Sequence, residues 1–138
     1  MDYSYLITPF LAWLIAGVSK FIINSIKAKK LAFGLIGYGG LPSNHSAIVC
    51  STSTLIALKQ GIDSPAFGVA LTLAFIVMLD AASLRRQVGK HAQAINSLKQ
   101  DQNLRERIGH TKIEILSGIL VGIAVAFLVF KIGLLCKI

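Results

Sequence analysis

Apolar residues are grouped in four long runs, and short polar segments separate these runs along the chain. The first run covers roughly residues 5–26, and the second follows the loop at 39–46 and ends near Lys59. The third run covers about 66–82 and the fourth about 112–135. Most approach the ~20 residues that a helix needs to cross a bilayer core. A chain of 138 residues cannot bury all of them inside itself, so we expect them to face lipid.

The remaining segments differ from these runs in length or polarity. The second run is short and rich in serine and threonine, which favours a place inside a bundle. The apolar stretch 31–38 is too short to cross and is expected to lie along the membrane surface or dip into it. Between 84 and 108 the chain is polar, but apolar residues recur at helical spacing: Leu84, Val88, Ile95, Leu98 and Leu104. This pattern predicts an amphipathic helix on the membrane surface.

The predicted fold class is therefore all-α, a polytopic membrane helix bundle of about four spans plus a surface amphipathic helix. We expect one domain over residues 1–138. The composition agrees, because 54% of the residues are hydrophobic and only 14% are charged. The N-terminus has Asp2 instead of a basic stretch, which indicates a retained span and not a signal peptide. Cys50 and Cys136 lie in apolar runs and are interpreted as small packing residues.

A net charge of +8 raises the question of nucleic acid binding. The cations lie in two clusters between apolar runs, with no soluble domain to carry a binding face, so we expect no nucleic acid partner. With four spans, the loops at 27–43 and 83–112 share one side of the membrane. That side has ten lysines and arginines (Lys27, Lys29, Lys30, Arg85, Arg86, Lys90, Lys99, Arg105, Arg107 and Lys112), and the other has three (Lys59, Lys131 and Lys137). The positive-inside rule then predicts that both loops face the cytoplasm.

The segment Gly39-Gly40-Leu41-Pro42-Ser43-Asn44-His45-Ser46 has the residues of an anion site. Its glycines let the backbone approach an anion, and Pro42-Ser43 favours a helix start whose free N–H groups point at it. The Ser43 and Ser46 hydroxyls would add to these donors, and His45 would supply a proton. The plainer interpretation, a loop with a capping serine and an exposed histidine, is about equally good for this segment alone.

Two further elements could complete such a site. Asp80 lies near the end of an apolar run, where a carboxylate usually has a partner or a role. Arg85 and Arg86 follow it; guanidinium binds phosphate oxygens well, although arginines beside a membrane often serve topology alone. His110 and Glu114 would lie one helical turn apart, so the carboxylate could fix the imidazole tautomer and leave the other nitrogen to attack. The alternative is an ordinary histidine–glutamate pair at a helix start.

These segments resemble the divergent branch of the type 2 phosphatidic acid phosphatase superfamily, which is related to acid phosphatases and vanadium-dependent haloperoxidases. The matching elements are the Gly-Gly-Leu-Pro-Ser-Asn-His-Ser loop, Asp-Ala-Ala-Ser-Leu-Arg-Arg-Gln-Val-Gly at 80–89, residues 92–96, and Gly-His-Thr-Lys-Ile-Glu at 109–114 with Gly118. The resemblance covers nearly the whole chain. It departs from the main branch at Asn44, which replaces a glycine, at Glu114, which replaces an aspartate, and in the 23 residues between Arg86 and His110.

The resemblance implies a role for each matching residue. His110 would be the nucleophile, Glu114 would orient it, and His45 would be the general acid. The expected phosphate-binding residues are Lys20 or Lys30, Gly40, Ser43, Asn44, Ser46, and Arg85 or Arg86. Asp80 is expected to support the site structurally. Neither a metal nor another cofactor is expected.

The predicted function is that of a metal-independent membrane lipid phosphatase, acting through a phosphohistidine at the cytoplasmic face of the cell (inner) membrane. Candidate substrates are phosphatidylglycerophosphate, phosphatidic acid and polyprenyl phosphates or diphosphates. A non-catalytic protein that binds or moves phosphate-bearing lipids is the main alternative. A small channel or transporter using Asp80 and Lys20 ranks below it. The pair Gly118 and Gly122 could pack within the bundle or across a homo-oligomer, and residues 87–108 could form a lid.

Overall fold

The computed structural model describes residues 3–31, 33, 40–98, 103–106 and 108–135. Within these ranges the chain forms five helices and no strand. The helices are α1 (Ser4–Ala28), α2 (Asn44–Gln60), α3 (Pro65–Ala82), α4 (Leu84–Leu98) and α5 (Lys112–Leu135). The predicted all-α fold class is confirmed.

Three helical segments are long and apolar enough to cross a membrane: Ser4–Ala28, Pro65–Leu98, which includes α3 and α4, and Lys112–Leu135. Their large apolar side chains point outward, as Phe10, Phe75 and Leu120 do with about 60% or more of their surface exposed. A soluble monomer rarely exposes apolar surface on this scale, whereas lipid covers it without cost. The protein is therefore an integral membrane protein.

The second apolar run forms the centre of the bundle. Helix α2 has 17 residues and packs against α1, α3 and α5. Its small hydroxyl side chains lie inside the protein, and the Ser53 hydroxyl reaches the Ala70 carbonyl of α3 at 3.1 Å. A polar helix of this kind is stable in a membrane because its neighbours shield it from lipid.

Glycines bring α5 against α2. A Cβ at Gly118 would collide with the Ser43 carbonyl, and one at Gly122 would collide with the Ala47 carbonyl. The pair therefore packs inside this chain, which answers the question that the sequence left open.

Contacts at both ends of α2 show that it runs antiparallel to α1. At one end the Lys59 ammonium donates to the Ser4 hydroxyl at 2.6 Å. At the other end Gly17 lies beside the Asn44 amide. The start of α2, the end of α3 and the start of α5 therefore share one end of the bundle, which we call the site end.

The predicted amphipathic helix is α4. Its apolar residues Leu84, Val88, Ile95 and Leu98 are exposed, and Gly89 lies against the carbonyl of Glu106. The Asn96 side chain bonds both the N–H and the C=O of Leu104 at 2.9 Å. The segment 103–106 thus folds back onto α4 before the chain enters the site.

Several sequence predictions lie outside the described residues. They concern most of the stretch 31–38 and the residues Asp2, Gly39, Lys99, Arg107, Cys136 and Lys137.

Candidate active site

One carboxylate oxygen organises the start of α5. Glu114 Oε2 accepts the Thr111 N–H at 3.0 Å and lies 3.2 Å from His110 Nδ1. In return, the Glu114 N–H donates to the Thr111 hydroxyl at 3.3 Å. This reciprocal pair is a capping box, in which Thr111 caps α5 and Glu114 is the third residue of the helix. His110 therefore precedes the helix instead of lying within its first turn.

The His110–Glu114 pair is almost fully enclosed. Only 6% of the histidine side chain and 7% of the glutamate side chain are exposed. A carboxylate facing Nδ1 favours the tautomer with the proton on that nitrogen, which leaves Nε2 unprotonated. The His110 N–H donates to the Ala81 carbonyl at 3.1 Å and so ties the motif to the end of α3.

Burial lowers the pKa of His110 below its ordinary value. The hydrogen bond that His110 donates to Glu114 raises this pKa, while the positive charges of Lys20 and Arg85 lower it. Because the net direction is downward, the imidazole is neutral at pH 7, the form that can attack phosphorus.

Ser43 and Ser46 form the start of α2. The Ser43 hydroxyl accepts the Ser46 N–H at 3.4 Å and the Ser46 hydroxyl at 3.1 Å, and both residues are fully buried. The Ser43 N–H donates to the Glu114 carbonyl at 2.9 Å. In this structure the two hydroxyls thus bond each other at the helix cap, and the Ser43 backbone makes the α2–α5 contact. The contact of the hydroxyls with phosphate stays a prediction.

The second histidine of the site lies next to the first. The ring centres of His45 and His110 are 6.1 Å apart, with an angle of 58° between their planes. His45 Nδ1 and Asn44 Oδ1 are buried and have no hydrogen-bond partner among the described residues. Gly40 is buried beside Asn24, with a φ of 150° that favours glycine. The predicted loop therefore does approach the His110 motif.

The four cations predicted for the site differ in burial and in their electrostatic effect on the two histidines. Arg85 Nε donates to Asp80 Oδ2 at 2.9 Å, and the charge of Arg85 acts on both histidines. Lys20, half-buried on α1, also acts on both. By contrast, Lys30 and Arg86 are exposed, and the Arg86 backbone packs against Gly109.

Comparison with known proteins identifies the family of the chain. Residues 1–125 match the model of the Divergent PAP2 family. The chain belongs to this family. The match includes every residue predicted for the site, and it confirms the resemblance inferred from the motifs.

A relative of this family member is the "Uncharacterized membrane protein YuiD" of Bacillus subtilis (strain 168). The two proteins are 37% identical over 139 residues, which cover 86% of this chain and 88% of the relative. No solved structure matches the chain significantly.

One charged residue near the site was not among the predicted site residues. Arg105 is half-buried in the segment that folds back onto α4, and its charge acts on Lys20 across the site. In the sequence, Arg105 was counted only among the charges that predict the membrane orientation. Its position five residues before His110 was the available signal.

Proposed function

We propose that this family member is a membrane lipid phosphatase that works without a metal, through a phosphohistidine on His110. The observation that carries the proposal is the enclosed His110–Glu114 pair, 6.1 Å from the ring of His45 and within the field of two cations. Phosphoryl transfer to an imidazole requires a nucleophile, an acid that protonates the leaving oxygen, and positive charge that stabilises the phosphoryl oxygens.

In the first step, His110 Nε2 attacks phosphorus and the bond from phosphorus to the lipid oxygen breaks. A protonated His45 gives its proton to the departing oxygen, so the lipid leaves as an alcohol, or as a monophosphate when the substrate is a diphosphate. Glu114 keeps the proton on His110 Nδ1 and stabilises the positive charge that develops on the ring.

In the second step, water attacks the phosphohistidine. His45, now neutral, accepts a proton from this water, and the bond between phosphorus and Nε2 breaks. Inorganic phosphate leaves, and both histidines return to their starting forms.

Lys20 and Arg85 stabilise the charge on the phosphoryl oxygens in both steps. Asp80 holds Arg85 through Nε, which leaves the two terminal nitrogens of the guanidinium for phosphate. The first-turn amides of α2, at Asn44 and His45, have no carbonyl partner within the helix and add further donors.

The positive-inside rule puts the site end on the cytoplasmic side of the cell membrane. The substrate would then be a lipid with a phosphomonoester or diphosphate head group at that surface. Phosphatidylglycerophosphate, phosphatidic acid and polyprenyl phosphates all meet this description.

The direct test is phosphate release from these lipids by purified protein in detergent, with a chelator present. We expect turnover by the wild type, loss of turnover in His110→Ala, and an acid-labile phosphoryl group on His110 after rapid quenching. The matched control is His91→Ala, since His91 is an exposed histidine on α4.

Full turnover by His110→Ala would contradict the nucleophile, and a strict metal requirement would contradict the mechanism. Lipid binding without turnover, unchanged in His45→Ala and His110→Ala, would favour the non-catalytic alternative.

A further inference from the structure

Helix α2 has one face that its neighbours leave partly open. This face consists of residues at i, i+3, i+4, i+7 and i+11, all of them half-buried: His45, Ile48, Val49, Thr52 and Ile56. The opposite face is buried against α5, where Gly118 and Gly122 contact Ser46, Ala47 and Cys50.

The walls beside the open face are α1 and α3. Ala47 packs with Ala12 and Ala16 of α1 on one side, and Ser53 reaches Ala70 of α3 on the other. In the ranges that the structure describes, α1 and α3 do not contact each other. The space between them, floored by the five residues named above, is referred to as the α1–α3 cleft.

The cleft is polar at one end and apolar along the rest. Lys20 on the α1 wall and Arg85 after the α3 wall both act on His45, which lies at the site end. From His45 to Ile56 the floor runs about 16 Å along the helix axis. The one other polar group of the floor is the Thr52 hydroxyl, which donates to the Ile48 carbonyl at 3.3 Å. Hydrocarbon can therefore cover this hydroxyl without leaving its hydrogen unbonded.

We propose that the α1–α3 cleft receives the hydrocarbon chain of the substrate sideways from the bilayer. This inference rests on the proposed function, because it uses His45 as the acid for the leaving oxygen. That oxygen carries the lipid chain, so the chain must start beside His45, which is where the cleft begins. Lys20 and Arg85 would bind the phosphate of the lipid, and the apolar floor of the α1–α3 cleft would hold its hydrocarbon chain.

The test is to fill the cleft away from the phosphate. Thr52→Trp and Ile56→Trp place a large side chain on its floor, two and three turns from His45. Leu120→Trp is the matched control, since Leu120 is 61% exposed on α5, behind the opposite face of α2. Each variant is assayed in micelles with dioleoyl phosphatidic acid and with monomeric dihexanoyl phosphatidic acid, whose short chains end before residue 56.

For Ile56→Trp we expect kcat/KM to fall about tenfold or more with the long-chain lipid and to change less than about twofold with the short-chain lipid. Activity on the short-chain lipid also shows that the variant is folded. For Thr52→Trp we expect the same preference, with some loss on the short-chain lipid too. Leu120→Trp should match the wild type on both.

Equal effects on the two lipids in both cleft variants would overturn the cleft assignment and leave the phosphatase proposal standing. Wild-type protein that binds but hydrolyses neither these lipids nor phosphatidylglycerophosphate and polyprenyl phosphates would overturn the phosphatase proposal, and the cleft assignment with it.

Discussion

The carboxylate of Glu114 has one structural partner, Thr111, and one catalytic partner in the proposed mechanism, His110. It caps α5 through Thr111, and the same oxygen holds His110. A single substitution at Glu114 would therefore damage fold and chemistry together. More selective tests come from His110 itself and from the two neighbouring arginines.

The lowered pKa of His110 leads to a pH prediction. Above the ordinary histidine pKa of about 6.5 the ring is neutral in both the folded and the unfolded chain. As the pH falls below that value, the unfolded chain takes up the proton first, so the free energy of unfolding decreases until the pH has passed the lowered pKa. Phosphohistidine formation should fail on the acid side as the pH drops through that lowered value, and on the alkaline side as His45 loses the proton that it gives to the leaving oxygen. Quench-flow measurements from pH 4 to 8 would check this, and a midpoint above 6.5 for the acid limb would contradict it.

The two arginines can be compared directly. We expect Arg85→Gln to lower kcat/KM by about a hundredfold, since it removes a charge that acts on both histidines. Arg86→Gln should change it by less than about threefold, because Arg86 is exposed and meets Gly109 through its backbone and Cβ, which glutamine also has. Steady-state kinetics of both variants on one lipid would check this prediction. A larger loss of kcat/KM in Arg86→Gln than in Arg85→Gln would show that Arg86 is the functional arginine.

At the scale of elements, helix starts were predictable because a cap is a local interaction. Ser43 caps α2, as predicted, and Ser64 caps α3 with Pro65 in the first turn, which is a local pattern of the same kind. The Thr-x-x-Glu capping box at 111–114 is an equally local pattern. The prediction for this glutamate was its pairing with His110, and its role in the cap was missed. Contacts between helices could not be predicted in this way. The spacing of Gly118 and Gly122 is compatible with packing against a second chain as well as against a helix of the same chain.

The contact between α5 and α2 can be tested with two glycines of one helix. Gly118→Ala should destabilise the protein by roughly 1–3 kcal/mol, because its Cβ would meet the Ser43 carbonyl. Gly133→Ala is the control, since a Cβ there meets nothing within 4 Å. Thermal unfolding in detergent should show a lower Tm for the first variant and an unchanged or higher Tm for the second. Equal shifts would mean that the close approach does not stabilise the fold.

For the whole molecule, the membrane orientation decides which leaflet supplies the substrate. All the site segments share one end of the bundle, while Lys59 and Gln60 contact Ser4 and Tyr5 at the other. The positive-inside rule assigns the site end to the cytoplasm.

Cysteine labelling can measure this orientation. In a background with Cys50 and Cys136 replaced by alanine, we expect Lys90→Cys to react with a membrane-impermeant maleimide only after the cells are permeabilised. Asp63→Cys, exposed in the turn at the opposite end, should react in intact cells. The opposite pattern would put the site on the outer face and favour substrates of the outer leaflet.

The sequence by itself determined the membrane class, the helices, the helix caps at Ser43 and Ser64, and the pairing of His110 with Glu114. Each of these depends on residues within one run or one turn, so hydropathy, caps and i,i+4 spacing are enough to predict it. Only the tertiary structure placed Lys20 and Arg85 where their charges act on both histidines, left Lys30 and Arg86 exposed, and brought Arg105 near Lys20. It also buried Ser43 and Ser46 and left a cleft between α1 and α3. These outcomes depend on how α1, α3 and α5 pack around α2, and residues far apart in the chain have no local pattern that records such packing.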